Sequence, residues 1–324
     1  MWGGTPGCTL VFRHMNVFVA TALLLLALPG CAWAWGPVTH LWHGAEVLSD
    51  LTNVGRGLQQ LLGQCRWAYL YGCVAADIVQ AKRFTESVYT HCHSWRIGWR
   101  LLEGARGDEE RAFGWGYLSH LAADVYSHND FVPEHLVTSF PSLTRRHIYW
   151  EARFDAQFGT VERRLLEEVL SRRSRAGERL IERTVGRTLL PFRANKRIFD
   201  SYVSLQHLDR WQDVLRRVTA RSRFGLPADE IERYNRSCVA AIRDLLVHGE
   251  KARVVRHDPN GHEMLRRAKE VRRKLWTLRR LGVSPTALKR QLNEMLERPD
   301  LEAPVPEVPR ARPSRAAAHT RRDA

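Results

Sequence analysis

An all-α bundle is the fold this sequence specifies, and three observations carry that expectation. Apolar residues recur at three-to-four spacing along most of the chain, as one face of a helix requires. No strict alternation of apolar and polar residues lasts beyond four positions, so strands have no support. The 324 residues are 44% hydrophobic and 26% charged, with 11 Trp to fill a core, which excludes a disordered or collagen-like chain.

Residues 1–34 stand apart from the rest. Asn16 to Pro29 is almost uninterruptedly apolar, follows Arg13 and precedes Ala32-Trp33-Ala34, the order of a secretory signal peptide. The run of about 14 residues is shorter than the ~20 a spanning helix needs, so export with cleavage after Ala34 is expected, periplasmic or secreted. Leu28-Pro29-Gly30-Cys31 offers a lesser alternative, a lipoprotein box anchoring Cys31. From there the apolar spacing predicts a helix over His43–Leu62, stopped by Gly63, and a loop-rich connection over Gly72–His93. Further helices are expected over Trp95–Leu102, Arg111–Tyr126, Ser142–Phe158, Val161–Leu170 and Glu178–Leu190, then Ile198–Arg217, Ala228–Val247, His262–Leu281 and Ser284–Leu296. Pro304, Pro306, Pro309 and Pro313 among Arg and Ala make 302–324 a disordered basic tail.

Charge and histidine divide the chain. Residues 35–160 carry 11 Lys+Arg against 13 Asp+Glu, whereas 161–324 carry 38 against 22, so the formal +15 belongs to the second half. Eight of the 14 histidines fall between His40 and His147. The first half, 35–160, therefore reads as the catalytic domain, and 161–301 as a basic helical region, with membership of the same bundle left open. No CxxC pair exists, which argues against a cysteine zinc knuckle or a thioredoxin-type site; Cys65 and Cys73 pairing, or four lone thiols, both remain open.

The chemistry concentrates in GYLSHLAADVYSHN, Gly116–Asn129. On a helix His120, Asp124 and His128 follow one another at four-residue steps, each within about 40° of the last, and form one polar stripe. Leu118, Leu121, Ala122 and Val125 flank it, which turns the stripe toward the bundle interior. Two imidazoles and a carboxylate in such a place suit a metal. His147 and Glu151 form a second pair one turn apart, and inward-facing ligands from facing helices are how bundles hold metals. Asp77 ends the apolar run YLYGCVAAD, where an unpaired charge would be costly. His91 and His93 stand in YTHCHSW. His40 follows five residues after Trp35, whose amino and carbonyl groups would chelate a metal once cleavage freed them.

Together WGPVTHLW (35–42), Asp77, THCH (90–93), HLAAD (120–124), His128 and HIYWE (147–151) resemble the zinc-dependent phospholipase C family, which is related to the zinc-dependent single-strand nucleases. The resemblance covers about residues 35–155. It implies an all-α bundle with a trinuclear zinc site in a cleft. Carried over by motif, Asp77, His91, His120 and Asp124 would hold one zinc, and His128, His147 and Glu151 a second. The third would take Trp35, His40 and a shared Asp124. Position in THCH favours His91 and leaves His93 as an additional ligand, a hydrogen-bond donor to one, or a loop residue. In the family the next histidine lies six residues beyond the aspartate; His128 lies four beyond.

The function implied is hydrolysis of phospholipid to diacylglycerol and a phosphorylated head group by metal-activated hydroxide, with Asp77 orienting or deprotonating the water. The basic half and tail would add peripheral contact with an anionic membrane surface. Two alternatives keep the metal and change the role. One is a single-strand nuclease stacking bases on Trp95, Trp99, Trp115 and Trp150, which would make nucleic acid the partner. The other is a non-catalytic zinc-binding helical protein.

Overall fold

A helix with no polar face must be surrounded, and Asp108–Tyr126 is that helix. Its residues from Ala112 to Val125 are buried on every side except at Trp115, Ser119 and His120 included. The computed structural model describes residues 35–79, 92–140, 147–185, 190–206, 224–284, 286–288 and 290. Among these there is no strand, and the regular elements are helical. They are α1 (Pro37–Ser49), α2 (Arg56–Gln64), α3 (Arg66–Ala75), α4 (Trp95–Glu103), α5 (Asp108–Tyr126) and α6 (Val132–Thr138). Then follow α7 (His147–Asp155), α8 (Thr160–Ser171), α9 (Arg175–Thr184), α10 (Phe192–Gln206), α11 (Ala228–His248) and α12 (His262–Arg280).

Two differences from the periodic reading have local causes. The predicted helix over 43–62 is two helices, because Asp50 Oδ1 accepts from both the Thr52 amide (3.1 Å) and its hydroxyl (2.7 Å), an Asx-type turn that stops α1. The expected loop after Gly72 begins as the C-terminal part of α3, whose residues Ala68 to Ala75 are all buried. A segment that is apolar all round shows no helical period in sequence. The expected signal segment 1–34, the tail 302–324 and most of the predicted helix 284–296 lie outside the described residues.

α3 and α5 cross at backbone contact. A Cβ on Gly72 would lie 2.2 Å from the Phe113 carbonyl oxygen, and one on Gly116 would lie 2.0 Å from that of Tyr69. Tyr69 hydroxyl and Ser119 Oγ, 3.1 Å apart, tie the same crossing. α1 is fastened to α7 by Thr39, whose amide and hydroxyl both donate to Asp155 Oδ1 at 2.8 Å. The second half shares this core: Tyr234 and Cys238 of α11 are fully buried, and Trp35 packs on Tyr234 with ring centroids 6.0 Å apart. No helix among the described residues is long and apolar enough to cross a membrane.

His43 belongs to this packing. It is fully buried, and its Nε2 donates to Asn235 Oδ1 on α11 at 3.0 Å. Burial, then the neighbouring His40, pushes its pKa down to about 3.

Two outcomes follow. Gly116→Ala should force α3 from α5 and cost about 1–3 kcal/mol, read as a lower denaturant midpoint; an unchanged midpoint would show that the crossing is not close. For His43, the unfolded chain binds a proton near 6.5 while the folded chain stays neutral to about 3, so its contribution is full above 6.5 and fades as pH falls through that window. His43→Gln in chelator should therefore flatten the acid loss of stability by up to about 1.4 kcal/mol per pH unit, and parallel pH profiles would refute this.

Candidate metal centre

Four elements bring polar side chains to the flank of α5. α1 starts at Pro37, a residue suited to a first helical turn, and carries His40 inward at the end of that turn. A 3₁₀ turn at Ala76–Ile78 ends α3 and presents Asp77. His93 precedes α4 in a segment held to α5 by Tyr117, whose hydroxyl donates to the Cys92 carbonyl at 2.5 Å. His120 and Asp124 come from α5 itself, one turn apart. All five are buried to 2% exposure or less.

The contacts converge on Asp124. Its Oδ1 lies 3.1 Å from His40 Nε2, and its Oδ2 lies 3.3 Å from His93 Nε2 and 3.2 Å from His120 Nε2. His93 Nε2 is also 3.3 Å from Asp77 Oδ1 and 3.0 Å from His120 Nε2. The His40 and His120 rings stack at 3.7 Å between centroids. Ligand atoms of His40, Asp77 and His120, and again of His93, His120 and Asp124, lie within 4.8 Å of one another.

Protons on these rings are partly fixed. His120 Nδ1 lies 2.9 Å from the Cys73 carbonyl, which only accepts, so Nδ1 carries the hydrogen and Nε2 of the neutral ring offers its lone pair to the cluster. Without metal, burial alone would lower the His120 pKa, but Asp124 and Asp77 outweigh it and raise it. Burial alone would raise the Asp124 carboxyl, yet His120 and His40 hold it well below the usual range. His40 is lowered by burial and then by His120.

This arrangement fits a cation. Both Asp124 oxygens are sealed from solvent and make no hydrogen bond of good geometry, although three imidazole nitrogens stand at 3.1–3.3 Å. Nitrogen and oxygen donors without a thiolate suit zinc. Cys92 Sγ lies 3.2 Å from His93 Nδ1, the ring nitrogen opposite the one that faces Asp124.

The other expected ligands are placed differently. His128 and Glu151 form a separate pair, with Nε2 and Oε1 3.9 Å apart, too long for a hydrogen bond. His128 stands outside the Asp124 cluster, in the π-helical turn Ser127–Phe131 that follows α5, with its Nδ1 2.6 Å from the Pro259 carbonyl. His147 opens α7, four residues before Glu151, and its side chain is outside the described set. His91 also lies outside the described residues, and it is His93 that stands in the cluster. Trp35 buries its indole among Phe131, Phe154 and Tyr234, and Nε1 donates to the Ala123 carbonyl at 3.0 Å, one residue before Asp124. Of the expected stacking aromatics, Trp150 is withdrawn from solvent altogether, while Trp95, Trp99 and Trp115 are half-buried. Trp99 and Trp115 pack edge to face at 6.0 Å, and Trp95 Nε1 donates to the His257 carbonyl at 2.8 Å. Sequence reasoning missed the residues around Pro259, which touch His128; the signal available was the turn composition of Asp258-Pro259-Asn260-Gly261.

No curated protein and no solved structure matches the chain. The family described as zinc dependent phospholipase C matches residues 39–206, just over half of the 324. That span takes in His40, Asp77, His93, His120, Asp124, His128 and Glu151, and it runs on through α8, α9 and α10. With the histidine and aspartate cluster inside the matched segment, the chain belongs to the zinc-dependent phospholipase C family.

Proposed function

We propose that the protein is an exported zinc phosphodiesterase that cleaves phospholipid to diacylglycerol and a phosphorylated head group. The observation that carries this is the enclosed cluster in which three imidazole nitrogens face the two oxygens of Asp124. In this reading Asp77, His93, His120 and Asp124 hold one zinc, with His93 in the place expected of His91. His128, His147 and Glu151 hold a second. His40 and Asp124, with the amino and carbonyl groups of Trp35, hold a third. Support for the last comes from the Trp35 indole, whose hydrogen bond ends on the residue before Asp124.

When bound, zinc supplies a water acidic enough to be a nucleophile near neutral pH and positive charge against the phosphoryl oxygens. The chain's own residues do the rest. Asp77, fully buried, takes the proton of the attacking water. His120 keeps its Nδ1 proton on the Cys73 carbonyl, which holds its ring at one orientation. The N-terminal ligand requires export, because only removal of the leader frees an α-amino group at Trp35. The basic second half favours an anionic membrane surface: Arg175, Arg179 and Arg193 are exposed around one hollow, in which Arg173 and Lys196 are paired with Asp200 and Glu178.

Protein beginning at Trp35 is expected to carry three zinc ions and to hydrolyse phosphatidylcholine rather than single-stranded DNA, faster on vesicles containing anionic lipid and less so at high salt. Asp124→Asn should lower kcat/KM by more than about 100-fold and release zinc. Fewer than two zinc ions per chain, or DNA cleaved faster than lipid, refutes this reading; indifference to anionic lipid removes the surface role. One extra residue before Trp35 should cost one zinc ion and most activity, and a full complement with a normal rate would reject the third site.

A further inference from the structure

The chain between α11 and α12 reaches back to the histidines of the site, although it lies outside the segment that the family match covers. Asp258 folds it into a turn. Its Oδ1 accepts from the Asn260 amide (3.0 Å), its Oδ2 from the His262 amide (3.2 Å), and its carbonyl from the Gly261 amide (3.0 Å). A turn held by its own bonds is stiff, and this one is docked. Asn129 Nδ2 donates to the Asp258 carbonyl at 2.8 Å, and the Trp95 indole holds the preceding carbonyl of His257.

Two contacts from this turn land on site histidines. His128 Nδ1 lies 2.6 Å from the Pro259 carbonyl, and since that oxygen only accepts, Nδ1 carries the hydrogen and Nε2 of the neutral ring is left as the lone pair on the Glu151 side. Asn260 Nδ2 donates to the His93 carbonyl at 2.8 Å. Gly261 makes the approach feasible. It is left-handed at φ +54°, and a Cβ there would sit 2.2 Å from the His128 carbonyl oxygen and 2.7 Å from its Cβ. No other residue type fits both conditions.

We propose that the Asp258–Gly261 turn is a positioning element of the metal centre, in which Pro259 sets the tautomer of His128 and Asn260 fixes the backbone of His93. The proposal rests on the reading of His93 and His128 as ligands. One turn then braces histidines from two metal positions, and the C-terminal half contributes to the site through backbone oxygen and amide groups instead of ligands. Partners that orient a metal-bound histidine are worth roughly 10- to 100-fold in metal affinity.

The test measures zinc affinity by chelator competition in full-length mature protein, with the melting temperature of the zinc-free form beside it. Asn260→Ala and Gly261→Ala are each expected to bind zinc roughly 10- to 100-fold more weakly than wild type. Asn260→Ala, which loses its bonds to the His93 carbonyl and Asp258 Oδ1, should lower the zinc-free melting temperature by no more than about 2–4 °C. Imidazole nitrogen NMR of the zinc-free protein should find His128 protonated at Nδ1 in wild type and mixed in Gly261→Ala. His128→Ala is the control for the underlying reading and should lose the one zinc ion that His128, His147 and Glu151 hold. If it loses zinc while Asn260→Ala and Gly261→Ala bind as wild type does, the positioning role is wrong and the ligand assignment stands. If His128→Ala keeps its full complement of zinc, the ligand reading of His128 fails and takes the role of Pro259 with it. Should Gly261→Ala not fold, Asn260→Ala alone decides: unchanged affinity overturns the brace at His93.

Discussion

Asp124 puts a carboxylate where no water reaches it, and much of the first half of the fold answers that one demand. A buried charge is tolerated only when paired or coordinating, so three imidazoles come to it from α1, the segment before α4, and α5 itself. Their arrival depends on backbone geometry more than on side-chain choice. The glycine crossing of α3 and α5 brings the Cys73 carbonyl to His120, and the Thr39 bonds to Asp155 fix α1 against α7. The same Asp155 shows the cost of such fastening. Burial, only partly offset by the Thr39 bonds, pushes its pKa up to about 6.

The sequence was readable where a helix keeps one wet face and one dry face. α8, α11 and α12 fall within a residue or two of the spans their periodicity predicts, and the His120–Asp124 stripe is visible because it interrupts an apolar helix at a regular interval. α3 was not readable, since a segment buried on all sides has no period to detect. The choice between His91 and His93 was not readable either. Both stand in one loop motif; His91 lies outside the described residues, and the ring of His93, held by the bonds of its neighbour Cys92 to Tyr117 and of its own carbonyl to Asn260, meets Asp124. The docking of the 258–261 turn is a contact over more than a hundred residues, which no local pattern encodes.

Dividing the charge at residue 160 separates chemistry from contact, but packing does not respect that line. Tyr234 and Cys238 of the basic half sit against Trp35, and Arg272 of α12 reaches the Leu136 carbonyl at 2.6 Å. The arginines that remain at the surface are the ones that give this half its charge. The thiols are also withdrawn. Cys73, Cys92 and Cys238 are buried and unbridged, and burial raises the pKa of Cys73 and Cys238, so neither is a ready nucleophile.

The π-helical turn at Ser127–Phe131 has a consequence for how α6 is phased against α5. Such a turn holds one residue more than the α-helix on either side, so the chain can gain or lose a residue there and stay helical. Everything beyond would rotate by about 100° about the common axis. Along the rod from α5 into α6, this turn is where the bearing of α6, with His135, is set independently of His120 and Asp124. The spacing of the residues of α6 in the sequence is thereby uncoupled from their angular bearing on α5.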